Sequence, residues 1–389
     1  MTAVAVQLLD PAVPETDSFQ VTLERGVLFS ALAHVQSAVE RRNTVEILGN
    51  VLIIVEPDVL RLAATDMEMD VQETVAVLGG QPGSSTAPAQ MLFDLIRKLP
   101  DGAKVTLTAQ GGQLKVTAGR ERNYQLPTLS ASQFPILSLG EFPHTFTLTA
   151  QALYRLLNKT RFAMSTDAMR YYLNGVYLHV ADGKLCAVTT DAHRLAYAEL
   201  AAPEGVEAIP GVILPRKMVN EVVKILADHG DAPVTVQLSA AKIRLQVGGV
   251  VVTSKLIDGT FPDYNRVIPK NNTHVFTVPV KPFAVAVDRI ITLTTDKDKI
   301  KAVGCHLSDG MLRLSIGGLN VPGQGKEEIP ADYQGESLSL GFNAPYLLDV
   351  LNQIDGAQVS LAAQDNAAAV LVRDVGATDT LFVLMPIRV

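Results

Sequence analysis

Apolar residues recur along this chain in two rhythms, every second position and every third or fourth, and the two alternate in the same order three times. VTLERGVLFSAL (21–32), FTLTAQALYRLL (146–157) and FTVPVKPFAVAV (276–287) each read as a short alternating strand running into an amphipathic helix. NVLIIVEPDVLRLAATD (50–66), NGVYLHVADGKLCAVTTD (174–191) and AVGCHLSDGMLRLSIGG (302–318) alternate on both sides of an Asp or Asp-Gly turn and predict hairpins. AQMLFDLIRKL (89–99), RKMVNEVVKIL (216–226) and APYLLDVLNQI (344–354) align as second helices, with Asp94, Glu221 and Asp349 at one shared position. Another alternating pair follows each of these helices, and each unit closes on an apolar residue and a proline: Phe134-Pro135, Phe261-Pro262 and Met385-Pro386.

The repeats open at 21, 146 and 276, about 125 to 130 residues apart, too long for a solenoid repeat and right for a small domain. Turn-rich stretches near Gly140 to Pro143 and Lys270 to Asn272 mark the boundaries. The expected organisation is an N-terminal extension at 1–18 and domains at 19–141, 142–271 and 272–389. Each domain is two strand-helix-hairpin halves, so the fold class is α+β: two antiparallel sheets with two helices on one side. Similar domains joined head to tail by short linkers follow a repeated rotation, so three form an arc and two such arcs form a ring of six.

With 48% apolar residues, 19% charged and no tryptophan, the chain is neither disordered nor fibrous. Its apolar runs are far shorter than the roughly 20 residues that span a bilayer, and its start has no basic residue before the apolar patch. A cytoplasmic protein is expected. Cys186 and Cys305 lie far apart, without metal-ligand spacing, and read as buried small residues. No metal or cofactor is expected.

The net charge of −7 speaks against a nucleic-acid partner, but a total is not a distribution. The predicted helices lean basic, with Arg25, Arg41, Arg42, Arg97, Lys98, Arg155, Lys159, Arg216, Lys217, Lys224, Lys281 and Arg289, so one face can be positive on a negative body. Thr65-Asp66 and Thr190-Asp191 recur at equivalent places, which favours a turn role for the aspartates. His193-Arg194-Leu195 and RYYLNG (170–175) occur only in the middle repeat, where specificity is therefore expected. Asp191 and His193 could form a carboxylate and general base, but no nucleophile elbow, phosphate loop or HExxH accompanies them. The DxExD run Asp66, Glu68, Asp70 reads as a solvated strand edge more readily than as a metal site.

GNVLIIV, TDMEMDV, RYYLNG, TDAHRLA, PRKMVNEVVKIL, TSKLIDGTFPDYNRVIP, GFNAPYLLDVL and VLMPIRV, in order across the chain after about residue 19, together resemble the bacterial sliding clamps, the beta subunits of DNA polymerase III holoenzyme. The resemblance implies three tandem domains of the DNA-clamp fold and a head-to-tail homodimer, a six-domain ring with the helices inside. It also implies a non-enzymatic processivity factor through which double-stranded DNA passes, tethering the DNA polymerase III alpha subunit, the clamp loader, and other DNA polymerases and repair proteins that carry clamp-binding motifs. Carried over to this numbering, the partner-peptide cleft would comprise Leu173, Thr190, His193, Arg194, Leu195, Pro262, Arg266, Val267, Asn343, Tyr346, Met385, Pro386, Ile387, Arg388 and Val389. There, apolar walls would take an anchor while Arg and His on the rim bond to the peptide. DNA contacts would fall to Arg42, Tyr171, Tyr172 and Lys217, and the charge pattern adds Arg155. Ala192 stands where the family usually has glycine, Ile387 where it often has methionine, Val389 where it ends in leucine, and Asn265 replaces a usual arginine. Asp167 brings a negative charge beside the RYYLNG loop. Two other readings of the same residues are a peptide-binding scaffold that never closes into a ring and a hydrolase using Asp191 and His193.

Overall fold

The computed structural model describes residues 17–40, 43–137, 140–206, 209–294, 300–316 and 323–388. The chain forms two compact units, one of Met1–Tyr154, Pro203–Ile209 and Asn220–Leu256, the other of Arg155–Ala202, Pro210–Val219 and Ile257–Val389. Each unit joins one outer repeat to half of the middle one, because a sheet runs without a break across each boundary between repeats.

In the first unit an eight-stranded antiparallel sheet has the order His144–Thr149, Pro233–Leu238, Lys242–Val247, Val250–Lys255, Met69–Ala76, Val59–Thr65, Asn50–Val55, Gly83–Pro88. The join is the pairing of Val250–Lys255 with Met69–Ala76, where Thr253 lies opposite Asp70. A five-stranded sheet of Gly80–Gln81, Phe19–Glu24, Lys104–Gln110, Gln113–Ala118 and Arg122–Pro127 completes the unit. Helix α1 (Arg25–Gln36) buries Leu28, Ala31, Leu32 and Val35, and α2 (Ala89–Arg97) buries Ala89, Leu92 and Ile96. Each large aliphatic side chain so buried stabilises the fold by about 1.5–3 kcal/mol, which is what holds these short helices.

In the second unit the eight-stranded order is Val212–Pro215, Gly175–Ala181, Lys184–Thr190, Arg194–Ala201, Thr380–Leu384, Val370–Asp374, Gln358–Ala363, His274–Pro279. Arg194–Ala201 pairs with Thr380–Leu384, and Leu195 lies opposite Val383. A four-stranded sheet of Gly325–Pro330, Met311–Ile316, Ala302–Ser308 and Leu338–Asn343 lies beside it in the order of the chain's pairing. Helices α3 (Ala150–Asn158) and α4 (Arg216–Ala227) belong to the middle repeat, and α5 (Val280–Ile291) and α6 (Ala344–Leu351) to the third. Phe276, Phe283, Phe342 and Phe382 centre the third repeat's core.

The predicted hairpins form with the turns their residues favour. Asp182-Gly183 and Asp309-Gly310 have φ of 50 and 72°, and 51 and 72°, two consecutive left-handed residues as a type I′ hairpin turn requires. Cys186 and Cys305 are buried free thiols.

Candidate functional site

The Thr-Asp pairs act as turn formers. Asp191 Oδ1 accepts the backbone N–H groups of His193 and Arg194 at 2.9 and 3.0 Å, and Asp66 Oδ1 accepts those of Glu68 and Met69 at 2.9 and 2.7 Å. The residue between sits in the left-handed region, Ala192 at φ 75° and Met67 at φ 72°. The glycine usual in the family at position 192 would relax that strain. Asp191 Oδ2 is taken by Arg194 Nε at 3.1 Å, so both carboxylate oxygens are engaged away from the His193 imidazole. That geometry withdraws the orienting carboxylate on which the hydrolase reading depends. The DxExD run is likewise dispersed: Asp66 serves its turn, Glu68 pairs with Lys255 at 2.8 Å, and Asp70 is buried. Among the described residues no cluster of three potential metal ligands exists.

The turn at 190–194 edges an apolar floor. Leu173, Leu195, Val383, Val188, Ile213, Phe261 and Tyr264 form one buried cluster, with Leu371 and Ile268 packed against it. Across the sheet Leu371 lies opposite Val383 and Val383 opposite Leu195, so three apolar side chains make a continuous row. Met385 and Val267 stand exposed at its margins, 40% and 53% accessible. The C-terminal segment is strung along this region. The Met385 N–H bonds to the His193 carbonyl at 2.9 Å and the Ile387 N–H to the Gly341 carbonyl at 2.8 Å, which sets Pro386 between the turn and the strand Leu338–Asn343. Asn343 stands at the N-cap position of α6 without making a side-chain capping bond, and its side-chain oxygen is buried without a hydrogen-bond partner. Tyr264 and His179 meet through a 3.0 Å hydrogen bond behind the floor, where burial holds the His179 pKa down and pushes Tyr264 up to about 12.

The structure thus brings Leu173, Thr190, His193, Arg194, Leu195, Asn343, Tyr346, Met385, Pro386 and Ile387 into one region. Pro262, Arg266 and Val267 lie on the segment that supplies Phe261 and Tyr264 to the floor, and Arg266 pairs with Asp263 at 3.0 Å and is exposed. Arg388 is exposed, and Val389 lies outside the described residues. Arg194 differs from its expected place as a rim donor. Its side chain is 9% accessible, and its donors go to Asp191, to Asp349 at 2.5 Å and to the Phe162 carbonyl at 2.9 Å. Its guanidinium also lies 4.2 Å from the Tyr346 ring centroid. Three of its five N–H donors are thus held by groups of its own chain. Sequence reasoning missed Val383, although it alternates with Met385 on a strand ending, and it left Asp349 without a role.

The equivalent row in the first unit is polar. Arg244 lies opposite Thr253 and Thr253 opposite Asp70, where the second unit has Leu371, Val383 and Leu195. Asp70 Oδ2 accepts the Leu137 N–H at 3.2 Å while Oδ1 is buried unpartnered, and desolvation raises its pKa to about 6. An apolar anchor therefore has a matching floor in the second unit and a buried carboxyl in the first.

Among the expected DNA contacts, Tyr171 is 52% exposed and packs edge-on against Tyr172, with ring centroids 5.8 Å apart. The Arg216 N–H bonds to the Asn174 carbonyl at 3.0 Å, which ties this loop to the first turn of α4, where Lys217 lies. Asp167 is paired with Arg170 at 2.9 Å, so its charge is compensated locally. Arg42 lies outside the described residues. Arg155, put forward on charge alone, is held by Asp355 at 2.7 Å and Asp379 at 3.1 Å. Arg25, Arg97, Lys224 and Arg289 are paired with Asp101, Asp94, Glu221 and Glu327. Arg25, Arg97, Arg155, Lys224 and Arg289 thus each have a carboxylate partner, so Arg155 is not the free cation that its charge alone suggested.

Family models of the DNA polymerase III beta subunit match end to end: the N-terminal domain at residues 19–138, the central domain at 147–263 and the C-terminal domain at 265–388. The chain belongs to the DNA polymerase III beta subunit family, the beta sliding clamps. It is 44% identical to the beta sliding clamp of Caulobacter vibrioides, covering 95% of this chain and 100% of that one. The Escherichia coli K12 beta sliding clamp is 36% identical over 94% of this chain and 99% of its own. Among solved structures, a sliding clamp from Bartonella birtlesii bound to griselimycin superposes with a TM-score of 0.91 at 41% identity, covering 96% of this chain and 100% of that one. The family's beta subunits are processivity factors rather than enzymes.

Proposed function

We propose that the chain is a replication processivity clamp. Two copies close head to tail into a ring around duplex DNA, and the groove in the second unit holds the polymerase to it. The observation that carries the tethering role is the apolar row Leu371–Val383–Leu195, flanked by Met385 and by the exposed Val267. A short peptide with apolar anchors desolvates against such a floor. A ring's hold on DNA is topological, so it needs only sequence-blind phosphate contacts, for which Lys217, the Tyr171-Tyr172 loop at the start of α4 and Arg42 are the proposed residues. The tether raises the polymerase's effective concentration at its template without slowing its travel. The partners proposed are the DNA polymerase III alpha subunit, the clamp loader and other polymerases and repair proteins that carry clamp-binding motifs, all in the cytoplasm. No helix among the described residues is long and apolar enough to cross a membrane.

The experiment is retention on DNA. The loaded protein should stay on a nicked circle and leave once the circle is cut to a linear form; equal retention on both would refute the ring. Sedimentation separates the ring from an open scaffold, because the ring requires a dimer. Removing residues 385–389 should abolish peptide capture and leave the dimer intact.

A further inference from the structure

The second helix of each repeat carries an acid at the same position, and its three copies find different partners. On α2, Asp94 pairs with Arg97 three residues later at 2.8 Å; on α4, Glu221 pairs with Lys224 three residues later at 2.9 Å. On α6 the corresponding position is Asn352, exposed at the helix C-cap, so Asp349 has no base within its own helix. Its carboxylate instead reaches Arg194, 155 residues away in sequence, at 2.5 Å. Arg194 is the residue that closes the 190–194 turn through Asp191, bonds the Phe162 carbonyl and lies over Tyr346. Tyr346 and Asp349 are three residues apart on α6 and so lie on the same face, stacked against and bonded to one guanidinium.

We infer that Asp349 is a positioning residue for peptide capture: by giving up the local pair its sisters make, it locks Arg194, and with it Tyr346 and the His193 turn, into the shape of the groove. The inference rests on the groove reading above. A guanidinium with three fixed acceptors and a ring beneath it has one orientation, whereas loss of the Asp349 contact leaves Arg194 free to swing into the space a peptide would occupy. Asp349 itself never touches the peptide. Its side chain is 45% accessible, so the expected effect is that of a partly exposed pair.

The test is a titration of full-length protein with a fluorescent peptide carrying the clamp-binding segment of the alpha subunit. Five proteins are compared: wild type, Asp349→Asn, Asn352→Lys, the two changes together, and the chain lacking residues 385–389. Asp349→Asn should weaken binding about two- to five-fold. Asn352→Lys alters no groove residue but restores the local base seen on the other two helices; by drawing Asp349 away from Arg194 it should weaken binding by a similar factor while leaving the thermal midpoint unchanged or raised. The double variant should bind no more weakly than Asp349→Asn alone, because the added lysine then has no carboxylate to capture. If Asn352→Lys binds as wild type does, or if the two effects simply add, Asp349 does not act through Arg194, even where the shortened chain fails to bind. If the shortened chain binds as wild type does, the groove reading itself is wrong.

Discussion

Replacing Asp70 by asparagine should make this protein more stable at neutral pH, and the gain should vanish in acid. Asp70 is 5% accessible and lies opposite Thr253 in the sheet, with one carboxyl oxygen bonded by the Leu137 N–H and the other unpartnered. Desolvation is the largest influence on it and lifts its pKa from 3.8 to about 6, outweighing the Thr65 and Leu137 hydrogen bonds and the more distant Lys242 charge, which pull the other way. At 1.36 kcal/mol per pKa unit, holding it ionised in the fold costs about 3 kcal/mol above pH 6. The folded chain keeps this proton up to about pH 6 while the unfolded chain releases it near 3.8, so Asp70's contribution to stability is fully present below pH 3.8 and is lost as pH rises through 6. Asparagine keeps an acceptor for Leu137 but places an amide nitrogen where Oδ1 finds no partner, which offsets about 1–2 kcal/mol of the gain. A net stabilisation of about 1–2 kcal/mol at pH 8 remains, read from guanidinium midpoints of both proteins at pH 4, 6 and 8. An Asp70→Asn protein less stable than wild type at pH 8, or an advantage that persists unchanged at pH 4, would refute the reasoning.

Three further outcomes are expected. Ala192→Val puts a β-branched residue at φ 75° and should lower stability by about 1–2 kcal/mol, seen as a lower thermal midpoint, whereas Ala192→Gly should not lower it. Leu195→Ala or Val383→Ala opens the floor and should weaken peptide binding by more than about 1 kcal/mol each, with a combined effect different from their sum because the two side chains face each other across paired strands. Lys217→Glu should weaken attraction to duplex DNA of any sequence and lower the slope of log affinity against log salt by about one, measured by anisotropy between 50 and 200 mM salt.

The beta sliding clamp architecture was written into the chain at short range. Alternation and helical periodicity, repeated three times, marked the strands and helices, and the Asp182-Gly183 and Asp309-Gly310 turns lie where neighbouring residues alone select a type I′ bend. The Thr-Asp turns were legible for the same reason, since the aspartate bonds backbone groups two and three residues on. The apolar groove residues Leu173 and Leu195 came from family resemblance, and the structure joins them to Val383.

What the sequence by itself could not decide was where each charge goes. Arg155 and Arg194 read as available cations, yet carboxylates from the third repeat, Asp355, Asp379 and Asp349, hold them. Asp70 read as a solvated strand acid, yet the sheet and the Leu137 segment bury it. Periodicity and turn chemistry act between residues a few positions apart and so are recorded in the order of the chain. Burial and ion pairing depend on which distant strands and helices pack together, and only the folded chain sets that.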